Sequence, residues 1–60
     1  MNINVLYIDS ETSEECYIQA ISILHSAVDE KIYLQLYDHR YKKHRCICIN
    51  EKDLMSIDIL

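Results

Sequence analysis

Between Lys31 and Asn50 the chain alternates apolar and polar residues twice, on either side of a short charged segment. Ile32, Leu34 and Leu36 share one parity and Tyr33, Gln35 and Tyr37 the other; Ile47 and Ile49 then alternate with Cys46, Cys48 and Asn50. Successive side chains on a strand point to opposite faces, so this is the pattern of a half-buried antiparallel pair. The connection, Asp38-His39-Arg40-Tyr41-Lys42-Lys43-His44, carries three of the six basic residues, and Arg45 follows at once. A hairpin with an aromatic, basic end constrains the fold to a small β-module and suggests a role in binding.

The rest of the chain fits that frame. Residues 2–9 read as a first strand, with Ile3, Val5 and Tyr7 against Asn4, Leu6 and Ile8. Residues 10–15 are a polar, acidic break. Glu51-Lys52-Asp53 reads as a turn or a single helical turn, and Met55, Ile57 and Ile59 alternate with Ser56 and Asp58 in a last short strand. The ambiguous stretch is 13–28. Tyr17, Ala20, Ile21, Leu24 and Val28 follow helical spacing, with Thr12 and Glu15 placed for a capping box. Tyr17, Ile21 and Ile23 also alternate loosely with Cys16, Ile18 and Ala20, and three isoleucines within six residues favour a strand. Local residues leave helix and strand both open.

Sixty residues form one domain, residues 1–60, with a modest core, since a chain this short buries only about 60% of the surface it exposes unfolded. The absence of Gly and Pro implies hairpin loops built from Ser, Asp, Asn and Lys rather than tight glycine turns. A marginal core of this kind makes a homodimer or a stabilising partner an expected possibility. The first fifteen residues lack the basic start and apolar stretch of a secretory signal, and no run approaches the roughly 18 apolar residues of a membrane span. The three cysteines are odd in number, and Cys46 and Cys48 sit two apart on one strand, where they do not normally pair. Reduced thiols and a cytoplasmic location are the expectation.

Charge divides the chain. Residues 1–30 carry six acidic side chains and no Lys or Arg; residues 31–60 carry six basic and four acidic ones, for a net charge of −4. That balance disfavours non-specific nucleic-acid binding, whose phosphate contacts need clustered Lys and Arg. Two candidate binding sites follow. Asp9, Glu11, Glu14 and Glu15 gather around one loop and imitate a run of phosphates toward a basic partner. Tyr37, Arg40, Tyr41, Lys42, Lys43 and Arg45 combine stacking surfaces with positive charge, toward a protein or a single strand of nucleic acid.

Catalytic and metal chemistry find little support. Cys46 or Cys48 near His44, with Asp38 as orienting carboxylate, is the one nucleophile candidate, and it lacks a nucleophile elbow, a helix N-terminus or an oxyanion loop. His44-x-Cys46-x-Cys48 places soft ligands along a strand roughly 7 Å apart, not in the knuckle that tetrahedral zinc prefers. Glycine-dependent phosphate loops are excluded. No enzyme activity, no metal and no cofactor are expected.

Tyr7-x-Asp9, the Ile18-x-x-Ile21 pair, Ile32-Tyr33-Leu34 ahead of Tyr37-Asp38, and Arg45-x-Ile47 closing on Ile57 and Leu60 resemble the WYL domain over about fifty residues. The resemblance implies a small Sm-like, SH3-type barrel or bent antiparallel sheet of about five short strands, with Cys16–Leu24 as one strand; the alternative is β-α-β-β with a helix at 13–28. The core would hold Ile3, Val5, Ile18, Ile21, Ile32, Leu34, Leu36, Ile47, Ile49 and Ile57, with Tyr7 half in it. The chain departs from the family where ligand-holding arginines would stand: Cys16 and Tyr17 occupy the place before Ile18, and Glu51-Lys52-Asp53-Leu54 replaces the later Asp-Arg-Ile. Barrel geometry is therefore better supported than ligand sensing. Together these features lead to the expectation of a non-enzymatic module that docks on a larger protein, of the kind phages and mobile elements direct at host nucleic-acid or defence machinery. The alternative is a WYL-like sensor of a nucleotide or short single strand.

Overall fold

The computed structural model describes residues 2–59; Leu60, the last residue of the family resemblance, lies outside them. Six strands follow one another: β1 (Ile3–Ile8), β2 (Glu15–Ala20), β3 (Ser22–Ser26), β4 (Lys31–Asp38), β5 (Lys43–Asn50) and β6 (Leu54–Ile59), with one 3-10 turn at Glu51–Asp53. They form two antiparallel three-stranded sheets, ordered β2-β1-β6 and β3-β4-β5. The fold is thus a small, mainly β one, built as two antiparallel sheets. It has no closed barrel, and no helix occupies 13–28 among the described residues.

Six strands appear where about five were expected because the stretch 16–24 breaks at Ile21. In β2, Ile18 and Ala20 pair with Val5 and Ile3 and share their inner face. In β3 the inner residue is Ile23, opposite Leu34. The parity of inward positions therefore changes between Ala20 and Ile23. One extra residue in a period-two pattern flips every later side chain to the other face, and here that residue stands where the chain leaves one sheet for the other. Ile21 anchors the corner by donating its N–H to the Gln35 carbonyl at 2.8 Å. The helical stripe noted above fails on the same ground. Ala20 is fully buried, but Tyr17, Ile21, Leu24 and Val28 are all exposed.

One cluster fills the space between the sheets: Ile3, Val5, Ala20, Ile32, Leu34 and Ile49 are buried, with Tyr7, Ile18, Ile23, Leu36, Ile47 and Leu54 packed against them. Two expected core residues are corrected. Ile21 is 42% exposed because it occupies the corner, and Ile57 is 38% exposed because β6 is an outer strand with only β1 beside it. Ala20, too small to stand out in the sequence, takes a central place opposite Ile3. A β-bulge between Leu6 and Tyr7 shifts the β1–β6 register so that Leu54 pairs with Tyr7, which brings Leu54 to the core. Asn4 is buried on the outer face of β1, with no hydrogen bond to its Oδ1 among the described residues.

The loops use polar side chains where glycine is absent. Asp9 Oδ1 accepts the Glu11 N–H at 2.8 Å, and Asp38 Oδ1 accepts the N–H groups of Arg40 (2.9 Å) and Tyr41 (3.3 Å). These are side-chain mimics of backbone turns. Ser26 and Asp29 are joined across the third loop, with the Ser26 hydroxyl donating at 3.3 Å. Each loop also holds one left-handed residue: Ser13 at φ 61°, Glu30 at φ 55° and Lys42 at φ 53°. A residue with a Cβ is disfavoured there by roughly 1–2 kcal/mol.

Two outcomes follow for stability. Lys42→Gly should gain about 0.5–1 kcal/mol, the relief of left-handed strain less the glycine entropy, read as a rise in thermal midpoint by circular dichroism. A fall would mean that the Lys42 side chain outweighs the strain. Leu34→Ala should cost about 2–5 kcal/mol, enough to leave much of a domain this small unfolded in a urea titration at room temperature.

Candidate functional site

The expected acidic residues stay together. Asp9, Glu11 and Glu14 lie in the loop between β1 and β2, and Glu15 opens β2 opposite Ile8. The loop is a built structure: the Asp9 N–H donates to the Glu14 carbonyl (2.9 Å), the Ser13 N–H to the Asp9 carbonyl (2.7 Å), and the Glu14 N–H to Thr12 Oγ1 (3.3 Å). Glu11, Glu14 and Glu15 point their charge into solvent, whereas Asp9 is half-buried.

The β4–β5 register enlarges this acidic region. Lys31 stands opposite Asn50, and the Glu51 N–H donates to the Glu30 carbonyl at 3.0 Å. Asp29 and Glu30 therefore meet Glu51 and Lys52 around an open groove of about 580 Å3. A second groove of about 420 Å3 runs between residues 7–11 on one side and Ile47, Cys48, Ile49 and Asn50 on the other, with Lys31 and Asp53 also lining it. Lys31 Nζ donates to Asn50 Oδ1 at 2.8 Å, and Asn50 Nδ2 donates to Asp53 Oδ2 at 3.4 Å. Asp29, Glu30, Glu51 and Asp53 were absent from the sequence-based site. The signal that could have found them was the hairpin pairing itself, which brings 29–30 beside 51–53.

The basic end is the loop 39–42 between β4 and β5. Arg40, Tyr41, Lys42 and Lys43 are exposed, and Lys43 Nζ lies 5.7 Å from the centre of the Tyr41 ring, a favourable cation–aromatic distance. Tyr37 is flanked edge-on by His39 and His44, with centroids 4.9 and 5.2 Å away. Arg45 is set apart from the others. It pairs with Asp38 at 3.6 Å and sits opposite Leu36, so part of its charge is already answered. Lys31 and Asn50 lie at the other end of this hairpin, seven residue steps and roughly 24 Å from the loop. The acidic and basic ends are thus separated along β4–β5.

The catalytic candidate does not assemble. Asp38, placed in the sequence as orienter for His44, is committed to the turn N–H groups and to Arg45. Cys46 and Cys48 are exposed free thiols on the outer face of β5, and Cys16 is a half-buried free thiol that approaches the Glu14 carbonyl at 3.9 Å. Among the described residues no group of three His, Cys, Asp or Glu stands close enough to hold a metal ion, and no helix is long and apolar enough to cross a membrane. The outer face of β3-β4-β5 also carries a shallow apolar hollow of about 340 Å3 bordered by Leu24, Tyr33 and Cys46.

Two tyrosines face thiols across strands: Tyr7 opposite Cys16, and Tyr33 opposite Cys48. Loss of hydration raises both phenols above their ordinary value of 10.0, with the neighbouring Cys16 and then Asp9 adding for Tyr7, and Cys48 and Asp29 for Tyr33. No family model, curated protein or solved structure matches the chain.

A raised phenol pKa means that the folded state holds the proton more tightly than the unfolded one. The associated stability is fully present below pH 10 and is lost as the pH climbs through the folded value. Tyr7→Phe should therefore flatten the decline of thermal midpoint above pH 10 and remove a late step from the ultraviolet tyrosinate titration. Amplitude lost instead from the main tyrosinate step, with the late step retained, would show that the fold does not hold the Tyr7 proton.

Proposed function

We propose that this chain is a non-enzymatic protein-binding modulator that docks through its acidic end on a larger, basic protein. The observation that carries the reading is the concentration of Asp9, Glu11, Asp29, Glu30, Glu51 and Asp53 around two adjoining grooves at one end of the β4–β5 hairpin. Carboxylates presented on hydrogen-bonded loops and strand ends offer a partly fixed anionic surface, complementary to the grooves of nucleic-acid-handling or defence complexes that normally hold phosphates. Electrostatic complementarity of this kind governs association rate and partner choice more than raw affinity. The dispersed thiols and the commitment of Asp38 to a turn and to Arg45 support binding over chemistry. The biological role that suits such a module is that of a phage or mobile-element inhibitor acting in the cytoplasm of a host cell.

The basic, aromatic loop supports a second reading, a WYL-like sensor of a nucleotide or single-stranded nucleic acid, through Arg40, Tyr41, Lys42 and Lys43. It is the weaker one, since Lys43 already lies over Tyr41 and Arg45 is paired with Asp38.

Tagged protein incubated in host lysate, with and without nuclease, separates the two. A protein partner held in stoichiometric amount after nuclease treatment is the expected result. Reversing Glu11, Glu30 and Glu51, which line the two grooves, to Lys should weaken that capture about tenfold or more, and Arg40→Ala with Lys42→Ala should leave it unchanged. Recovery of nucleic acid alone, lost with nuclease and steeply weakened by salt, would replace the docking reading with the sensor.

A further inference from the structure

In the β3-β4-β5 sheet, β5 has a neighbour only on its β4 side among the described residues. The direction of its backbone groups can be read from two hydrogen bonds. The Glu51 N–H reaches the Glu30 carbonyl, which makes 30–51 a hydrogen-bonded pair of the antiparallel ladder. Such pairs recur every second residue, so 32–49 and 34–47 are hydrogen-bonded, whereas 33–48 and 35–46 are not. The Gln35 carbonyl accordingly turns away from β5, toward β3, where it accepts the Ile21 N–H. Cys46 and Cys48 must therefore direct their N–H and C=O groups away from β4, to the open edge.

At Cys48 that edge is one wall of the groove whose opposite wall is residues 7–11. Charge in the groove is lopsided. Asp9, Glu11 and Asp53 line it, and among the described residues its one cation, Lys31, is already bonded to Asn50. Toward the other end of the same strand stand Lys43 and Arg45. An incoming segment is thus offered backbone partners along the edge, carboxylates at one end and repulsion of cations at the other.

We propose that the open edge of β5 at Cys46–Cys48 accepts an extended segment of a protein partner as an added strand, with Lys or Arg of that segment placed beside Asp9 and Glu11. This deepens the docking reading above and rests on it. Main-chain hydrogen bonds supply the attachment in strand addition, and side-chain pockets supply the choice of partner.

The probe is an acetylated, amidated Thr-Val-Thr-Val-Lys-Val-Lys peptide, titrated into the isotope-labelled full chain and followed by amide chemical shifts. The largest shifts are expected at Cys46 and Cys48. N-methylation of alternate peptide residues, in each of the two registers, should weaken binding at least tenfold in one register. The double variant Asp9→Asn, Glu11→Gln should weaken it severalfold; the Asn retains the turn acceptor at position 9. Equal binding by the parent and both methylated peptides, or shifts that avoid β5, would overturn the proposal. Because the modification lies in the peptide, that result does not depend on a protein variant folding. Cys48→Pro supplies a second arm, since a proline whose N–H position faces outward is tolerated on an edge strand. If native lysate yields a protein partner and folded Cys48→Pro captures it equally well, strand addition is wrong and acidic docking stands. If native lysate yields no protein partner, the docking reading fails, and the peptide titration alone decides the edge.

Discussion

Ala20 and Ile21 are neighbours with opposite fates, and the change of phase between them is the constraint on which the molecule depends. Up to Ala20 the chain belongs to the sheet of β1; from Ser22 it belongs to the sheet of β4. Had the alternation continued unbroken, Ser22 and Leu24 would face inward and Ile23 would face water. The extra residue keeps Ile18, Ala20 and Ile23 together on the core side while the backbone bends. Two sheets of three strands can then close on Val5 and Leu34, the two largest side chains that are completely buried. A small chain has little apolar surface to spare, and this corner lets both sheets bury the same few residues.

The hairpin 31–50 was fully legible in the sequence because its alternation is regular and its burial follows parity. Ile32, Leu34 and Ile49 are buried, with Cys46 and Cys48 outside. The stretch 13–28 was not, for the reason just given. A phase slip in a strand produces apolar spacings of one, two and three residues, and those overlap the helical period. Positions such as Ala20 escape notice because their burial comes from the partner strand rather than from their own hydrophobicity. Ile57 misled in the opposite sense, since its β-propensity and parity are correct but β6 leaves one side uncovered.

The candidate sites divide in the same way. Asp9, Glu11, Glu14 and Glu15 were legible because they are close in sequence and the loop keeps them together. Asp29, Glu30, Glu51 and Asp53 join them only through the pairing of Lys31 with Asn50, a contact between residues far apart in the chain. The free backbone of Cys46 and Cys48 was beyond reach of the sequence, since it depends on which strand ends a sheet and on which pairs of the ladder are bonded. Electrostatics and edge geometry thus converge on one end of the molecule through β4–β5 pairing.

The β1–β6 pairing has a consequence for how the chain reaches this state. The sheet β3-β4-β5 is a meander whose two connections are four residues each, whereas β1 must wait for β6, with roughly 45 residues between them. Closing the longer loop costs about 2 kcal/mol more in chain entropy. Ile3 and Val5, which complete the core, lie on the strand whose two partners are most unequal in sequence distance. The last described strand thus closes one edge of the first, and any event that holds back or unzips β6 bares the backbone edge of β1 alongside Val5.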